Sequence, residues 1–350
     1  MDIREVARRA RVSTATVSRT INRPESVTQG TAERVWEVIR ELRYLPNTHA
    51  RSLVSGRSRT LGLIVSDVTN PFFPELIQGF EDVALEHNYE LLIASTRYDP
   101  ARMALAVKRM LERTVEGMAI MTSEVDPSIT EQIAMRNVPM VFLDVGRECE
   151  GISNVVVNYA QGINEAVAHL SELGHTRIAF ISGPLKLKSA MIRRAAYLHW
   201  LTEKRLIEDT RLIVESDHTI DGGFGAMNEL LRLDPPPSAV LCSNDLTAMG
   251  ALRSLRQAGL SVPGDISVVG FDDIHLAEFT EPPLSTVRLS RKELAFKAFG
   301  ALFGHIESQR GAVVRRSPDD LLVETRLVVR DSTGPVKAGS ESLLKQLEHV

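Results

Sequence analysis

The chain is poor in the residues that most often do covalent or redox chemistry. Among 350 residues there are two cysteines, Cys149 and Cys242, far apart and each in or near an apolar run. Such thiols read as reduced, buried and structural, as in a cytosolic protein. No Cys/His grouping has metal-ligand spacing; His169 and His175 stand six apart across a helix end, a poor geometry for sharing an ion. The phosphate loop G-x-x-x-x-G-K-[ST], the nucleophile elbow G-x-S-x-G and the zinc motif H-E-x-x-H are all missing. These absences argue against an enzyme, and no cofactor or metal is expected. No run approaches the roughly 18 uninterrupted apolar residues of a membrane span. The N-terminus has no apolar stretch suited to a signal peptide, so the expected location is the cytoplasm.

What is present begins with charge. Apolar content of 43% and charged content of 25% are ordinary for a globular protein, and the length implies two or three domains. The net charge of −4 hides a division. Residues 1–59 carry 12 Lys+Arg against 6 Asp+Glu, a net of +6, while the other 291 carry 29 against 39, a net of −10. A basic head on an acidic body suggests a polyanion partner for the head.

The head starts MDIREVARRARVSTATVSRTIN. Ile3, Val6, Ala7 and Ala10 recur at helical spacing and give a first helix its apolar stripe. Arg11-Val12 makes a turn, and Ser13 stands as N-cap before Thr14 to Arg19. Val12, Val17 and Ile21 can face the first helix, which leaves Thr14, Ala15, Ser18 and Arg19 outside. That is a helix-turn-helix, whose second helix has the character of one that enters a DNA major groove. A two-helix hairpin is also common in helical proteins; the charge division weights the DNA reading. Pro24 breaks the helix, and Thr28 can cap a third one from about Gln29 to Leu42, with Val35, Ile39 and Leu42 on its core face and Trp36 expected as core filler. Residues 48–56 are too short for a stable isolated helix and can become helical when docked.

From Thr60 the pattern changes. Apolar runs at 61–65, 90–94, 117–121, 139–143, 177–181, 211–214, 239–242 and 266–271 alternate with helix-length segments. Continuous apolar runs imply strands buried on both faces of a parallel sheet, and the alternation implies βαβ units. Eight runs exceed one such sheet. A strand at 154–157 and the long helix after it mark a division into two similar lobes, with 284–289 and 321–330 able to cross back between them. Gly222-Gly223-Phe224-Gly225 lacks dinucleotide spacing and reads as a helix start.

Several of these segments together resemble the lactose/galactose repressor (LacI/GalR) family over about residues 2–331. The resemblance rests on DIREVARRARVSTATVSRTIN, NTHARSLVSGRSRTLGLIV, Asn70-Pro71-Phe72-Phe73, SND at 243–245, SVVGFDD at 267–273 and PPLSTVR at 282–288. It implies a small all-α helix-turn-helix headpiece (1–47), a hinge helix and linker (48–59) and an α/β core of two doubly wound lobes similar to periplasmic sugar-binding proteins (60–335). Lobe 1 would hold about 60–159 and 290–320, lobe 2 about 160–289 and 321–335, with a flexible tail at 336–350. It also implies a homodimer on a pseudo-palindromic double-stranded DNA operator and a sugar-like small-molecule effector held between the lobes. One heptad of apolar spacing at Leu343, Leu347 and Val350 is too little for a coiled coil, so a dimer is expected.

The resemblance places Thr14, Ala15 and Arg19 against base edges, and Arg19 alone can bond a guanine bidentately. Ser13, Thr16, Ser18 and Asn22 are suited to phosphates or capping. In the hinge, Arg51 and Leu53 carry over, Leu53 as an apolar wedge for the minor groove. Effector contacts are implied for Asn70, Phe72, Phe73, Asp144, Arg193, His218, Asn244 and Asp272, most of them at strand ends facing a crevice. Plain structural readings stand beside these: Asn244 as a helix N-cap, Asp273 as a loop cap and Asp272 with Arg193 as an ion pair. His218 occupies the place where relatives often stack an aromatic. If Arg97, Lys188 and Arg193 all face the cleft, with Tyr98 beside them, an acidic sugar or sugar phosphate follows. The alternatives are the same regulator controlled by a protein corepressor and, with less in its favour, a solute-binding sensor.

Overall fold

The computed structural model describes residues 2–44, 57–122, 137–144, 151–312 and 321–336. Two compact units divide between Ser58 and Arg59.

Three helices build the first unit: α1 (Ile3–Ala10), α2 (Thr14–Asn22) and α3 (Gln29–Glu41). Asp2 caps α1 by accepting from the Arg4 N–H, and Ser13 caps α2 by accepting from the Thr16 N–H. Each such cap contributes on the order of 1 kcal/mol. Arg11 ends α1 in the left-handed region (φ 56°), and the Val12 N–H returns to the Ala7 carbonyl. The helices close on Val6, Ala7, Ala10, Val17, Val35, Ile39 and Leu42. Two expectations fail here. Trp36 is 41% exposed, not core, because the neighbouring Val35 points inward and the next helical position lies about 100° round the axis. Thr28 sits at the N-cap of α3, but its hydroxyl donates to Thr31 Oγ1 instead of accepting from the backbone.

The second unit holds eleven strands: β1 (Thr60–Val65), β2 (Glu90–Ser95), β3 (Gly117–Met121), β4 (Met140–Leu143), β5 (Ile152–Asn158), β6 (Ile178–Ser182), β7 (Ile213–Glu215), β8 (Ala239–Cys242), β9 (Ser267–Asp272), β10 (Ser285–Leu289) and β11 (Leu322–Val328). Their spatial order is β2-β1-β3-β4-β5-β11-β10-β9-β8-β6-β7. Read from each edge inward to β11, the order 2-1-3-4-5 occurs twice, once in β1–β5 and once in β6–β10. Every pairing is parallel except β10 with β11. β11 pairs with β5 through Leu322–Glu324 and with β10 through Thr325–Val328, so it belongs to both repeats.

Helices cover the faces: α4 (Phe72–Glu86), α5 (Pro100–Glu112), α6 (Tyr159–Glu172), α7 (Lys188–Glu203), α8 (Ile220–Leu230), α9 (Asp245–Gln257) and α10 (Arg291–Ser308). After β10 the chain returns to the first repeat as α10, which packs on α4 and against β3–β5. The strands β1, β3, β4, β6, β8 and β9 are buried almost throughout, as their unbroken apolar runs require. β2 departs from that reading. It is half-exposed, with Ile93 43% exposed, because it ends the sheet and only one neighbour covers its flank. Cys242 is fully buried, and burial pushes its thiol up; Cys149 lies outside the described residues.

Candidate nucleic-acid interface and ligand cleft

On α2, the fully buried Val17 and Thr20 fix which face turns inward, and Thr20 donates its hydroxyl to the Thr16 carbonyl. Thr14, Ala15 and Arg19 are exposed on the opposite side, while Thr16 and Ser18 are half-buried at its margin. Ser13 is engaged as the cap, its Oγ 3.0 Å from the Thr16 N and 2.9 Å from Thr16 Oγ1. The exposed start of the helix thus offers a hydroxyl, a methyl and a guanidinium. The side chain of Asn22, and Arg51 and Leu53 of the hinge, lie outside the described residues.

In the second unit, a crevice opens at the carboxyl ends of the strands where the order 2-1-3-4-5 reverses in each repeat. Sheets of this kind place ligands at such switch points. From the first repeat come Ser66 after β1, Asn70, Phe72 and Phe73 at the start of α4, and Thr122 after β3. Arg193 on α7, His218 after β7, Asn244 after β8 and Asp272 at the end of β9 face them from the second. Seven of the eight expected effector residues therefore meet in one cavity. Two larger concavities lie elsewhere: an open groove of about 520 Å³ lined mainly by apolar side chains of β2 and α5 with three arginines, and one of about 580 Å³ lined mainly by charged side chains.

Arg193 is the centre of the crevice. It is 6% exposed, its guanidinium lies 4.1 Å from the Phe271 ring centroid and 4.8 Å from that of Tyr159, and Nη1 donates to the Ser243 carbonyl. Nη2 is 4.0 Å from an oxygen of Asp272. The ion-pair reading of these two is thus met at a long distance, in a wall both share. Burial pushes the Asp272 carboxyl up to about 6, with Arg193 and then Arg291 opposing the shift. Asp272 has φ 110°, a strained value for a side-chain-bearing residue, and Arg291 Nη1 holds its carbonyl at 2.6 Å. Arg291 is itself held by Glu75 at 2.6 Å.

His218 also has a left-handed backbone (φ 66°), and burial lowers its ring pKa to about 3, with Arg193 adding to the shift. Its ring packs on Gly183, where any Cβ would collide with it. Asn244 is the N-cap of α9, accepting from the Thr247 N–H at 2.9 Å, and donates Nδ2 to the His218 carbonyl at 3.2 Å. The capping reading is therefore what its amide does, and through it Asn244 positions His218. Asn70 similarly accepts from the Phe72 N–H at 3.0 Å. Asp273 is no mere loop cap; it pairs with Arg288 and Arg330 at 2.6 and 2.7 Å.

Asp144 is the exception among the eight. It is 4% exposed and does not line the cavity. Its two oxygens accept from the Val157 N–H at 2.9 Å and the Tyr159 hydroxyl at 2.6 Å, so it holds the ring under Arg193 from behind. The cation trio fails too. Arg97 and Lys188 are exposed and absent from the wall, which leaves Arg193 alone and faced by Asp272. Sequence reasoning missed Tyr159 and the Ser66–Thr122 hydroxyl pair, 2.8 Å apart. Their signal was position: each directly follows an apolar run or strand.

Among the described residues, two that line this cavity keep a buried nitrogen with no hydrogen bond within the protein, Arg193 Nε and His218 Nε2, and Ser243, whose carbonyl binds Arg193, keeps an unpaired hydroxyl. Unpaired buried polar atoms are uncommon and costly, and two on residues that line one cavity favour a ligand there. The enclosed space is only about 60 Å³, far below the roughly 300–1,000 Å³ of a small-molecule pocket.

A three-helix head of helix-turn-helix form and a doubled 2-1-3-4-5 sheet with a crevice between the repeats define a ligand-responsive DNA-binding protein. Comparisons make the class particular. The model of the lacI family of bacterial regulatory proteins matches residues 2–47, and that of the periplasmic binding protein-like domain matches residues 167–333. The HTH-type transcriptional repressor CytR of Escherichia coli (strain K12) is 35% identical over 335 residues, 95% of this chain and 96% of the relative. The HTH-type transcriptional repressor PurR of Actinobacillus pleuropneumoniae serotype 3 (strain JL03) is 33% identical over 330 residues, 94% and 97% of the two chains. The crystal structure of the Lac repressor dimer bound to operator and the anti-inducer ONPF superposes with a TM-score of 0.84 at 30% identity, over 95% of this chain and 99% of that one. A complex of the transcriptional regulator CelR with cellobiose gives 0.70 at 30% identity, over the same shares. The chain belongs to the lacI family of bacterial regulatory proteins.

Proposed function

We propose that the chain is a cytoplasmic, sequence-specific transcriptional repressor, acting as a homodimer on a pseudo-palindromic operator and controlled by a neutral sugar or sugar derivative. It is not an enzyme: the family consists of transcription regulators. Arg19 reads a guanine, Thr14 and Ala15 add a hydroxyl and methyl contact, and Ser13, Thr16, Ser18 and Asn22 orient the head on phosphates. Arg51 and Leu53 act in the hinge, Leu53 as the wedge.

The observation that carries the effector half is that two residues lining one cavity, Arg193 and His218, each keep a buried nitrogen without a partner in the protein. Asp272 accepts hydroxyls there, and Phe72 and Phe73 supply an apolar face. Asp144 acts behind Tyr159, and Asn70 and Asn244 act chiefly as turn and cap. With one cation and one carboxylate in the wall, a neutral ligand is favoured over an acid or phosphate. The cavity must widen to admit it, so lobes 60–159 with 290–320 and 160–289 with 321–335 move apart or rotate on binding. Coupling of that motion to the hinge, typically ~1–3 kcal/mol, sets operator affinity.

A thermal-shift screen against neutral sugars, sugar acids, sugar phosphates and nucleobases tests this. A ligand at ~100 times its Kd adds roughly 2.7 kcal/mol of stability. A hit among neutral sugars or their derivatives, lost in Arg193→Ala, is the expected result; a phosphate or acid that binds far more tightly than its neutral parent overturns the ligand class.

A further inference from the structure

The second unit begins at Arg59, the residue where the chain enters the core from the head and linker. Arg59 has φ 54°, in the left-handed region that a Cβ disfavours. Its neighbours determine it from every side. The Arg59 N–H donates to Glu116 Oε1 at 2.8 Å, and its carbonyl accepts from the Glu90 N–H at 2.8 Å. Its guanidinium lies 5.3 Å from the Tyr89 ring centroid, and Nη1 donates to the His87 carbonyl at 3.3 Å.

Glu116 is the keystone of this group. Its side chain is 10% exposed, and Oε2 accepts from the Tyr89 hydroxyl at 2.9 Å and from Arg310 Nη2 at 2.5 Å. Arg310, just beyond α10, also pairs with Glu307. A largely buried carboxylate paired with a partly buried arginine is a doubtful source of stability. The sheet does not need it either: β1 is registered against β2 and β3 from Thr60 and Leu61 onward. What the cluster adds is a fixed backbone direction one residue ahead of the sheet. The same α10 starts with Arg291, which holds the Asp272 carbonyl in the cavity wall, and Arg310 just beyond its end reaches Glu116, so this helix is linked to both the cleft and the group around Arg59.

We propose that Glu116, Tyr89 and Arg310 are positioning residues for operator binding, holding Arg59 so that the linker leaves the core in one direction. The inference rests on the operator reading above. A tethered head has an effective concentration at its half-site set by where its tether starts and points. Fixing the root narrows that search for both heads of a dimer, which raises specific binding without touching DNA.

The test uses the full chain and two duplexes: one selected from a randomised pool by the wild-type protein, and a scrambled duplex of equal length and composition. Arg59→Gly adopts the left-handed conformation without strain but loses the hold of Tyr89 and His87. It is expected to keep the core's Tm while its affinity for the selected duplex falls by about tenfold relative to the scrambled one. Glu116→Ala should lose at least as much, and Glu116→Gln, which keeps an acceptor for the Arg59 N–H, should recover part of the loss. If Glu116→Ala lowers the Tm, Arg59→Gly decides. Unchanged discrimination in Arg59→Gly and Glu116→Gln overturns the proposal, as does an equal loss on both duplexes, which marks a phosphate contact. Failure of the wild-type protein to enrich any sequence removes the operator reading and this inference with it.

Discussion

Asp272 shows at a single residue how burial and recognition oppose each other. Its carboxyl is raised to about 6 by burial, against a usual value of 3.8. The folded state therefore holds this proton more tightly than the unfolded chain. The stability linked to it is full below about pH 4 and is lost as pH rises through about 6, by at most about 3 kcal/mol for a shift of this size. Asp272→Asn should gain stability relative to wild type across that window and hold the gain up to pH 8, in calorimetric scans at each pH; a gap that does not change with pH would contradict the shift. His218 works in the other direction. Its ring, lowered to about 3, is neutral when folded, so its share of stability is full above about pH 6.5 and drains away as pH falls toward 3. His218→Gln should therefore lose less stability than wild type between pH 7 and pH 5. In the head, Arg19→Ala should cost ~1–3 kcal/mol of discrimination at one base pair per half-site and little elsewhere. Repeating the sequence selection with the variant would show that position relaxed, or would show it unchanged and remove Arg19 from the groove. These roles differ in how visible they were. Arg19 was legible because helical period alone turns it outward. Asp144 was misplaced because its strand-end position matches that of true cavity residues, and only the fold shows Tyr159 standing in front of it.

Elements were the most legible level. Seven of the eight apolar runs after Thr60 became strands nearly whole, as a parallel strand covered on both faces must be apolar at every position, while the run at 211–214 divides between a 3-10 turn at Thr210–Leu212 and β7. Gly222-Gly223-Phe224-Gly225 of α8 read as an ordinary helix start, and the structure gives Gly223, with Gly250 of α9, a packing role. A Cβ at Gly250 would sit 2.0 Å from the Ile220 carbonyl oxygen, and one at Gly223 would sit 2.2 Å from that of Thr247. Both obstacles are backbone, so neither can turn aside. Gly250→Ala should destabilise the core by about 3 kcal/mol through forced separation of the two helices. Denaturant titration would read this as a lower midpoint, whereas a change under about 0.5 kcal/mol would mean that the helices slide apart freely. The exposure of β2 escaped the sequence for a related reason: its run is as apolar as the others, and only the strand order makes it an edge.

At the scale of the molecule, two units with separate cores should not melt as one. The head closes on seven buried side chains, while the core unites both sheet repeats through a much larger apolar cluster. Calorimetry of the full chain should show two transitions, and Val35→Ala should move only that of the head, by a cavity cost of about 1–3 kcal/mol. A single transition displaced by that change would mean that the units fold together. The amino-acid sequence by itself determined the head's two faces, the strands and helices of the core and the charge division between them, because each follows from local period, capping and composition. Only the tertiary structure decided which strand ends share a crevice, which polar groups there are already satisfied by the protein, and which cations stay in solvent. Those are relations between residues 200 or more positions apart, as with Glu75, the His275 N–H and Arg291, and no local pattern carries them.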